Sequence, residues 1–334
     1  MRQGRTDKGQ TMRVSESMDA YLAARVAAGR AANTMDANRR ELRRLAEAVG
    51  DCDAADLCIE DIDGWAQERL VGAAPASASQ RVATVRMWLR WSAARGHHGL
   101  HADQVLDGLG GRRAPRQARR RVPVERFADL LDAAGRHHPR DRAAVAVGLY
   151  LMLRRNEARD ILVGDVDLLS SEVAVTIPKT RDFDLMPVCA ELDFELRLWL
   201  DEYAARCGPL QPHWRLLPSL GPNTFACPIS ERRPLPEQAM SNLPAVVSRA
   251  LEGIGWADTR GDGCHTLRRS GARAMFDSLA AQGYDGALRQ VMAMLHHTQA
   301  STTEAYLGLD VDRARRDARV KGLPMHPSLT PPAF

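Results

Sequence analysis

The sequence predicts a mainly α protein with a small antiparallel β-sheet, an α+β chain in which an N-terminal helical bundle precedes a mixed second domain. Three observations carry this. Apolar residues recur at helical spacing from Ser15 to Gly110, a glycine-, proline- and arginine-rich stretch then interrupts the chain, and beyond it a β-branched run lies between helical segments. A length of 334 residues also favours two cores over one.

In the first half, Tyr21, Leu22 and Val26 open the first amphipathic pattern. Thr34 is the expected N-cap of a second helix, which runs through Leu42 and Leu45 and stops near Gly50. A short helix is expected around Ile62 to Leu70, and a longer one from Ser79 through Val82, Val85, Trp88 and Leu89 to Gly96. Apolar faces of this kind bury one another as a small bundle, assigned to residues 12–110.

The stretch Gly110-Gly111-Arg112-Arg113-Ala114-Pro115-Arg116-Gln117-Ala118-Arg119-Arg120-Arg121 holds six arginines and nothing that builds a core, so residues 111–122 read as a linker. The second domain, 123–321, is expected to begin with helices at Val124 to Ala134 and Arg140 to Ile161. Residues Glu172 to Pro178 and Phe183 to Val188 then form a hairpin whose turn holds Lys179, Thr180, Arg181 and Asp182. Helices are expected again at Glu191 to Cys207 and Gln238 to Gly253, with an irregular proline-rich connection from Pro209 to Pro236. Three more helical stretches follow Cys264, Tyr284 and Ser301, and the four-proline tail 322–334 is expected to be extended or disordered.

A hydrophobic content of 45% and a charged content of 26% are those of an ordinary globular chain. The net charge of +4 permits a nucleic-acid partner without requiring one. The cations are nearly all arginine, whose planar fork grips phosphate oxygens in pairs. No cysteine pair has C-x-x-C spacing, and no apolar run is long enough to span a membrane. The N-terminus lacks the apolar stretch of a signal peptide, so the expected location is cytoplasmic, with reduced thiols.

Four patterns in the second half bear on chemistry. Arg154 and Glu157 are three apart on one expected helix, so Glu157 is placed to orient the guanidinium. Lys179 sits at the hairpin tip, where a lysine is ordinarily solvated and inert, although a loop tip can reach into a groove and place one ammonium next to a leaving oxygen. In His265-Thr266-Leu267-Arg268, a helix would project His265 and Arg268 on one face. Finally, Leu295-His296-His297 is followed by a polar turn and by Ser301-Thr302-Thr303-Glu304-Ala305-Tyr306, a capped helix carrying Tyr306 about one turn in. The paired histidines have no carboxylate at local ligand spacing, so no metal is expected there.

Taken in order, Arg154, Lys179, His265-x-x-Arg268, His297 and Tyr306, nine residues after His297, resemble the catalytic set of the tyrosine recombinase (phage integrase) family. The resemblance covers about Val122 to Asp310, and the helical first half is similar to that family's DNA-clamping domain in architecture alone. Two positions depart from the family pattern: His296 stands where glycine usually precedes the later histidine, and Met152 where glycine usually precedes Leu-Arg. A bulky His296 would reshape the turn or offer a second, confusable histidine.

The resemblance implies an integrase-like catalytic domain and a DNA strand transferase. Tyr306 would attack the phosphodiester to give a 3′-phosphotyrosine, with Arg154, Arg268 and His297 on the non-bridging oxygens, His265 as base or proton relay and Lys179 protonating the departing 5′ oxygen. It implies no cofactor, no metal and no ATP. The partners implied are double-stranded DNA, gripped along the backbone by Arg112, Arg113, Arg116, Arg119, Arg120, Arg121 and Arg181, and three further copies in a homotetramer on two sites. Residues 311–320 would form a helix docking on a neighbouring copy. A relaxing topoisomerase of the type IB kind, or a catalytically inactive DNA-binding relative, are the alternatives. The latter predicts a missing nucleophile or arginine, and the sequence retains both.

Overall fold

The computed structural model describes residues 12–109, 120–177, 182–221, 227–256 and 263–309. The chain divides into two compact units, Met1–Arg116 and Gln117–Phe334, each with its own hydrophobic core.

The first unit is built from helices α1 (Val14–Ala27), α2 (Ala32–Val49), α3 (Ile59–Leu70), α4 (Pro75–Ala93) and the short α5 (Ala102–Val105). Tyr21, Leu42, Leu45, Ile62, Trp65, Val85, Trp88 and Leu89 fill its core. Val26, expected on the buried face, is 54% exposed, because the buried stripe of α1 runs through Val14, Met18, Tyr21 and Leu22 and ends one turn before it. Thr34 is not the N-cap of α2. Ala31 holds that position, its carbonyl accepting the first amides, from Thr34 and Met35. Gly50 ends α2 in the left-handed conformation at φ 83°, where a Cβ would be strained.

In the second unit come α6 (Phe127–Gly135), α7 (Pro139–Tyr150), α8 (Arg155–Asp160), β1 (Val166–Asp167), β2 (Glu172–Ile177), β3 (Asp182–Pro187) and α9 (Ala190–Cys207). Then follow β4 (Pro218–Gly221), β5 (Arg233–Ala239), α10 (Leu243–Gly253), α11 (Cys264–Ala281), α12 (Ala287–Met294) and α13 (Ala300–Leu307). The fold is mainly α with small antiparallel sheets. Strands β1, β2 and β3 pair in that order, with Val173 opposite Met186 and Val175 opposite Asp184. Strand β1 is too short to show a period-two pattern and was not expected.

Three expected elements differ. The helix expected from Arg140 to Ile161 is two helices, broken at residues 151–154 where Met152 takes φ 54°. The connection expected to be irregular holds a hairpin of β4 and β5, with Pro234 and Pro236 tolerated because the sheet has only two strands. The helix expected from Gln238 starts at Leu243 instead, with proline in its first turn, since the residues before it belong to β5.

Helix α7 is almost wholly buried, and α11 crosses it at unusually close range. A Cβ on Gly271 would lie 1.8 Å from the Leu149 carbonyl oxygen, and one on Gly148 would lie 2.8 Å from Leu267 Cδ1. These two glycines let the backbones approach, which brings Arg268, one turn before Gly271, onto the end of α7. Gly271→Ala is expected to destabilise the second unit by about 1–3 kcal/mol or more, since backbone must move. Denaturant unfolding would measure it.

The start of α7 is fastened by a buried polar cluster. His138 caps the helix, accepting the Arg140 amide at Nδ1, while its Nε2–H donates to the Arg232 carbonyl at 3.2 Å. Burial first, then the neighbouring Arg140 and Arg206, push the His138 pKa down to about 4 from 6.5. The folded chain therefore holds His138 neutral where the unfolded chain protonates it. This group's contribution is full above about pH 6.5 and declines as pH falls towards 4. The expected slope is about 1.4 kcal/mol per pH unit, roughly 3 kcal/mol in all. His138→Asn, which keeps a capping oxygen, should flatten that part of the stability–pH curve.

Candidate active site

Arg268 is the centre of the site. It is 1% exposed and held from three sides. Its Nη1 donates to the Met152 carbonyl at 2.6 Å, its Nη2 to the Leu295 carbonyl at 2.6 Å, and Nη1 also lies 3.5 Å from Glu157 Oε2. A cation this buried persists only when its donors are matched. Burial lowers its pKa from the ordinary arginine value, opposed by Tyr306 and Glu157.

Arg154 is not inside a helix, as expected, but is the N-cap of α8. Glu157 reaches back to it twice: the Arg154 amide donates to Oε2 and Nη1 donates to Oε1, each at 2.7 Å. The three-residue spacing thus works through the cap and not through a shared helix face. Glu157, 3% exposed, is among the described residues the one carboxylate that pairs with both arginines.

Both positions that depart from the family's glycine pattern have left-handed backbone, Met152 at φ 54° and His296 at φ 49°. That conformation favours glycine, and a side chain there costs about 1 kcal/mol. The two turns carry the carbonyls that hold Arg268, at Met152 itself and at Leu295, just before His296. Their side chains differ in what offsets the cost. Met152 is 2% exposed in the core. His296 Nε2 lies 2.9 Å from Asp184 Oδ2 on β3, and its Nδ1 is buried with no hydrogen-bond partner among the described residues. Met152→Gly is therefore expected to destabilise by about 1–4 kcal/mol, cavity cost exceeding strain relief, while His296→Gly stays within about 1 kcal/mol of the parent. Urea midpoints of the two variants check the contrast.

The adjacent histidines are separated by this turn. His296 goes to the sheet, whereas His297 turns towards Tyr306, ring centroids 5.6 Å apart and nearly perpendicular. His297 Nδ1 lies 3.0 Å from the hydroxyl of buried Thr303. Tyr306 sits in the last turn of α13, later in the helix than expected, because the helix starts at Ala300 after an N-cap, Gln299, that makes no side-chain cap bond. Its hydroxyl donates to the main-chain carbonyl of His265 at 3.4 Å. The imidazole of His265 is exposed at the start of α11. Burial raises the Tyr306 pKa above its ordinary 10, and Arg268, Arg269 and Arg154 pull it back. Those arginines are the groups that would stabilise a phenolate or a phosphate here.

The structure thus gathers Arg154, Arg268, His297, Tyr306 and the backbone of His265. Lys179 and Arg181, like Arg112, Arg113, Arg116 and Arg119, lie outside the described residues, as do the tail 322–334 and the helix expected at 311–320. Arg120 and Arg121 lie at the edge of the second unit, Arg120 over the Trp256 ring at 4.2 Å and Arg121 donating to the Leu307 carbonyl. Sequence reasoning missed the carbonyls of Met152 and Leu295, and Asp184. Thr303 stood within the quoted motif without a role. Among the described residues no group of three or more His, Cys, Asp or Glu is arranged to hold a metal ion, and no helix is long and apolar enough to cross a membrane.

No family model matches the chain. Over 330 residues it is 25% identical to the tyrosine recombinase XerC of Chromobacterium violaceum, covering 93% of this chain and 98% of that protein. Its fold is similar to that of a lambda integrase (75–356) dimer bound to a COC′ core site, with a TM-score of 0.66 at 16% identity, covering 95% of this chain and 100% of that one. It is also similar to a lambda integrase tetramer bound to a Holliday junction, with a TM-score of 0.64 at 17% identity, covering 88% and 78%. On this fold, with this relative along nearly its whole length and with the ordered motifs from Arg154 to Tyr306, the chain is similar to the tyrosine recombinase (phage integrase) family.

Proposed function

We propose that the chain is a site-specific DNA recombinase that cleaves and rejoins strands through a 3′-phosphotyrosine at Tyr306. The observation that carries this is the gathering of Arg268, Arg154 and His297 around Tyr306. The scissile phosphodiester is an anion, and displacement at phosphorus adds charge to its oxygens. Two guanidiniums and an imidazole around that phosphate would supply the stabilisation, each donor being worth about 3 kcal/mol without additivity.

Tyr306 is a protonated phenol bonded to a carbonyl, so it must leave the His265 carbonyl and lose its proton to attack. His265, at the same helix start, is assigned that proton as base or relay. The Tyr306 oxygen bonds to phosphorus, the bond from phosphorus to the 5′ oxygen breaks, and Lys179 is assigned the proton that the 5′ oxygen gains. Attack by a 5′ hydroxyl of a second duplex reverses the steps and joins new strands. One phosphoester replaces another, so the exchange needs no ATP. The expected assembly is four copies on two sites, as supported by the fold likeness to a tetramer on a Holliday junction. Arg112, Arg113, Arg116, Arg119 and Arg120 of the linker, with Arg181, are assigned to the DNA backbone.

The experiment is covalent trapping followed by product analysis. Protein is incubated in EDTA with duplex and nicked DNA from its own genetic neighbourhood, and denaturation-resistant adducts map the cleavage site. An adduct plus strands joined between duplexes supports a recombinase. An adduct with rejoining of the same strand alone makes it a topoisomerase, and tight binding without an adduct makes it an inactive relative.

A further inference from the structure

We infer that Arg121 is a positioning residue for the helix that carries the nucleophile, not one more phosphate contact of the basic strap. The inference rests on the recombinase reading above. Residues 120–122, where the arginine-rich linker enters the second unit, are fastened to it at several points. The Val122 amide donates to Ser270 Oγ at 2.8 Å, Arg269 donates to the Arg120 carbonyl at 3.3 Å, and the Arg120 guanidinium lies over the Trp256 ring. Ser270 and Arg269 directly follow Arg268 on α11.

Held in this way, Arg121 donates through Nη1 to the Leu307 carbonyl, at the end of α13 and one residue beyond Tyr306. Arg273, from α11, donates to the same oxygen at 3.2 Å. The last carbonyls of a helix have no partner within it and carry the negative end of its dipole, so a cation there closes and fixes the helix end. Gly308 follows in the left-handed conformation at φ 69°, and a Cβ there would meet the Arg121 guanidinium at 3.6 Å. Helix α13 has only eight residues, and Tyr306 is the seventh. Its C-terminal clamp therefore sets where the hydroxyl stands relative to Arg268. Misplacement of a reacting group by about 1 Å costs up to ~100-fold in rate. The linker thus acts on the nucleophile from behind, while its other arginines remain assigned to DNA.

The test uses the full chain and a duplex bearing the cleavage site mapped by covalent trapping. Single-turnover adduct formation at saturating protein is compared with equilibrium binding across a salt series, for Arg121→Ala and Arg121→Lys. The expected result is a fall in adduct rate of about tenfold or more for Arg121→Ala, partial recovery in Arg121→Lys, and an unchanged dissociation constant and salt slope. A phosphate contact predicts the reverse, with weaker binding, a salt slope smaller by about one and an unaltered saturated rate; that result overturns the inference, as does no change in either quantity. Should Arg121→Ala fail to fold, Arg121→Lys carries the same comparison, because a shorter cation at the same carbonyl still predicts a slower adduct at unaltered salt slope. A parent protein that binds the duplex but forms no adduct overturns the recombinase reading itself.

Discussion

Arg268→Ala is expected to abolish strand cleavage and to destabilise the second unit at the same time. The side chain links α11 to the Met152 turn and to the Leu295 turn, and it neighbours Glu157. Removing it leaves two carbonyls without their donor and a buried carboxylate with Arg154 alone. Breaking a buried pair of this kind costs about 3–5 kcal/mol. Losing one donor to the developing phosphate charge costs about 100- to 1,000-fold in rate, and the two turns it no longer holds should add to that. Arg268→Lys keeps the charge, but a single ammonium cannot span the two carbonyls, so cleavage should remain at least about 100-fold down. The checks are adduct formation under single turnover and a denaturant titration. An Arg268→Ala protein cleaving within tenfold of the parent would show that the buried guanidinium is structural alone.

Tyr306→Phe is the second large effect, and its signature is different. The phenol hydroxyl donates to a backbone carbonyl at 3.4 Å and neighbours the Arg268 guanidinium, which keeps its two carbonyl partners without it, so losing the hydroxyl should change stability by about 1 kcal/mol or less. Binding should be unaltered too, because the arginines that face the phosphate are intact. Adduct formation, however, has no other nucleophile and should fall below detection. Loss of adduct together with loss of binding would instead show that the hydroxyl also holds the DNA, since the ring that lies edge-on to His297 is retained.

The two predictions rest on features that differed in how visible they were. The helical faces of the first unit are local, so Leu42, Leu45, Val85 and Trp88 could be placed inside from spacing. The candidate catalytic side chains were legible as an ordered string, because the proposed chemistry restricts residue type at each. What surrounds them was not. Arg268 is held by the carbonyls of Met152 and Leu295, and a backbone carbonyl has no residue identity to read. The break between α7 and α8 was hidden by helical residue types on both sides of Met152, whose φ of 54° serves a contact 116 positions away. Asp184 reads as one more strand residue until the fold sets it against His296. The β4–β5 hairpin was hidden by prolines, which argue against a central strand and say little about a two-stranded one.

The most direct test of the account is the chemistry of the bond itself. The trapped adduct is digested with protease and nuclease, and the peptide carrying residual nucleotide is sequenced by mass spectrometry, with the ends of the cut strand mapped alongside. The account predicts a phosphonucleotide on Tyr306, linked through the 3′ phosphate, with a free 5′ hydroxyl on the released strand. Nucleotide on any other residue, or a 5′ phosphate joined to the protein, would contradict it.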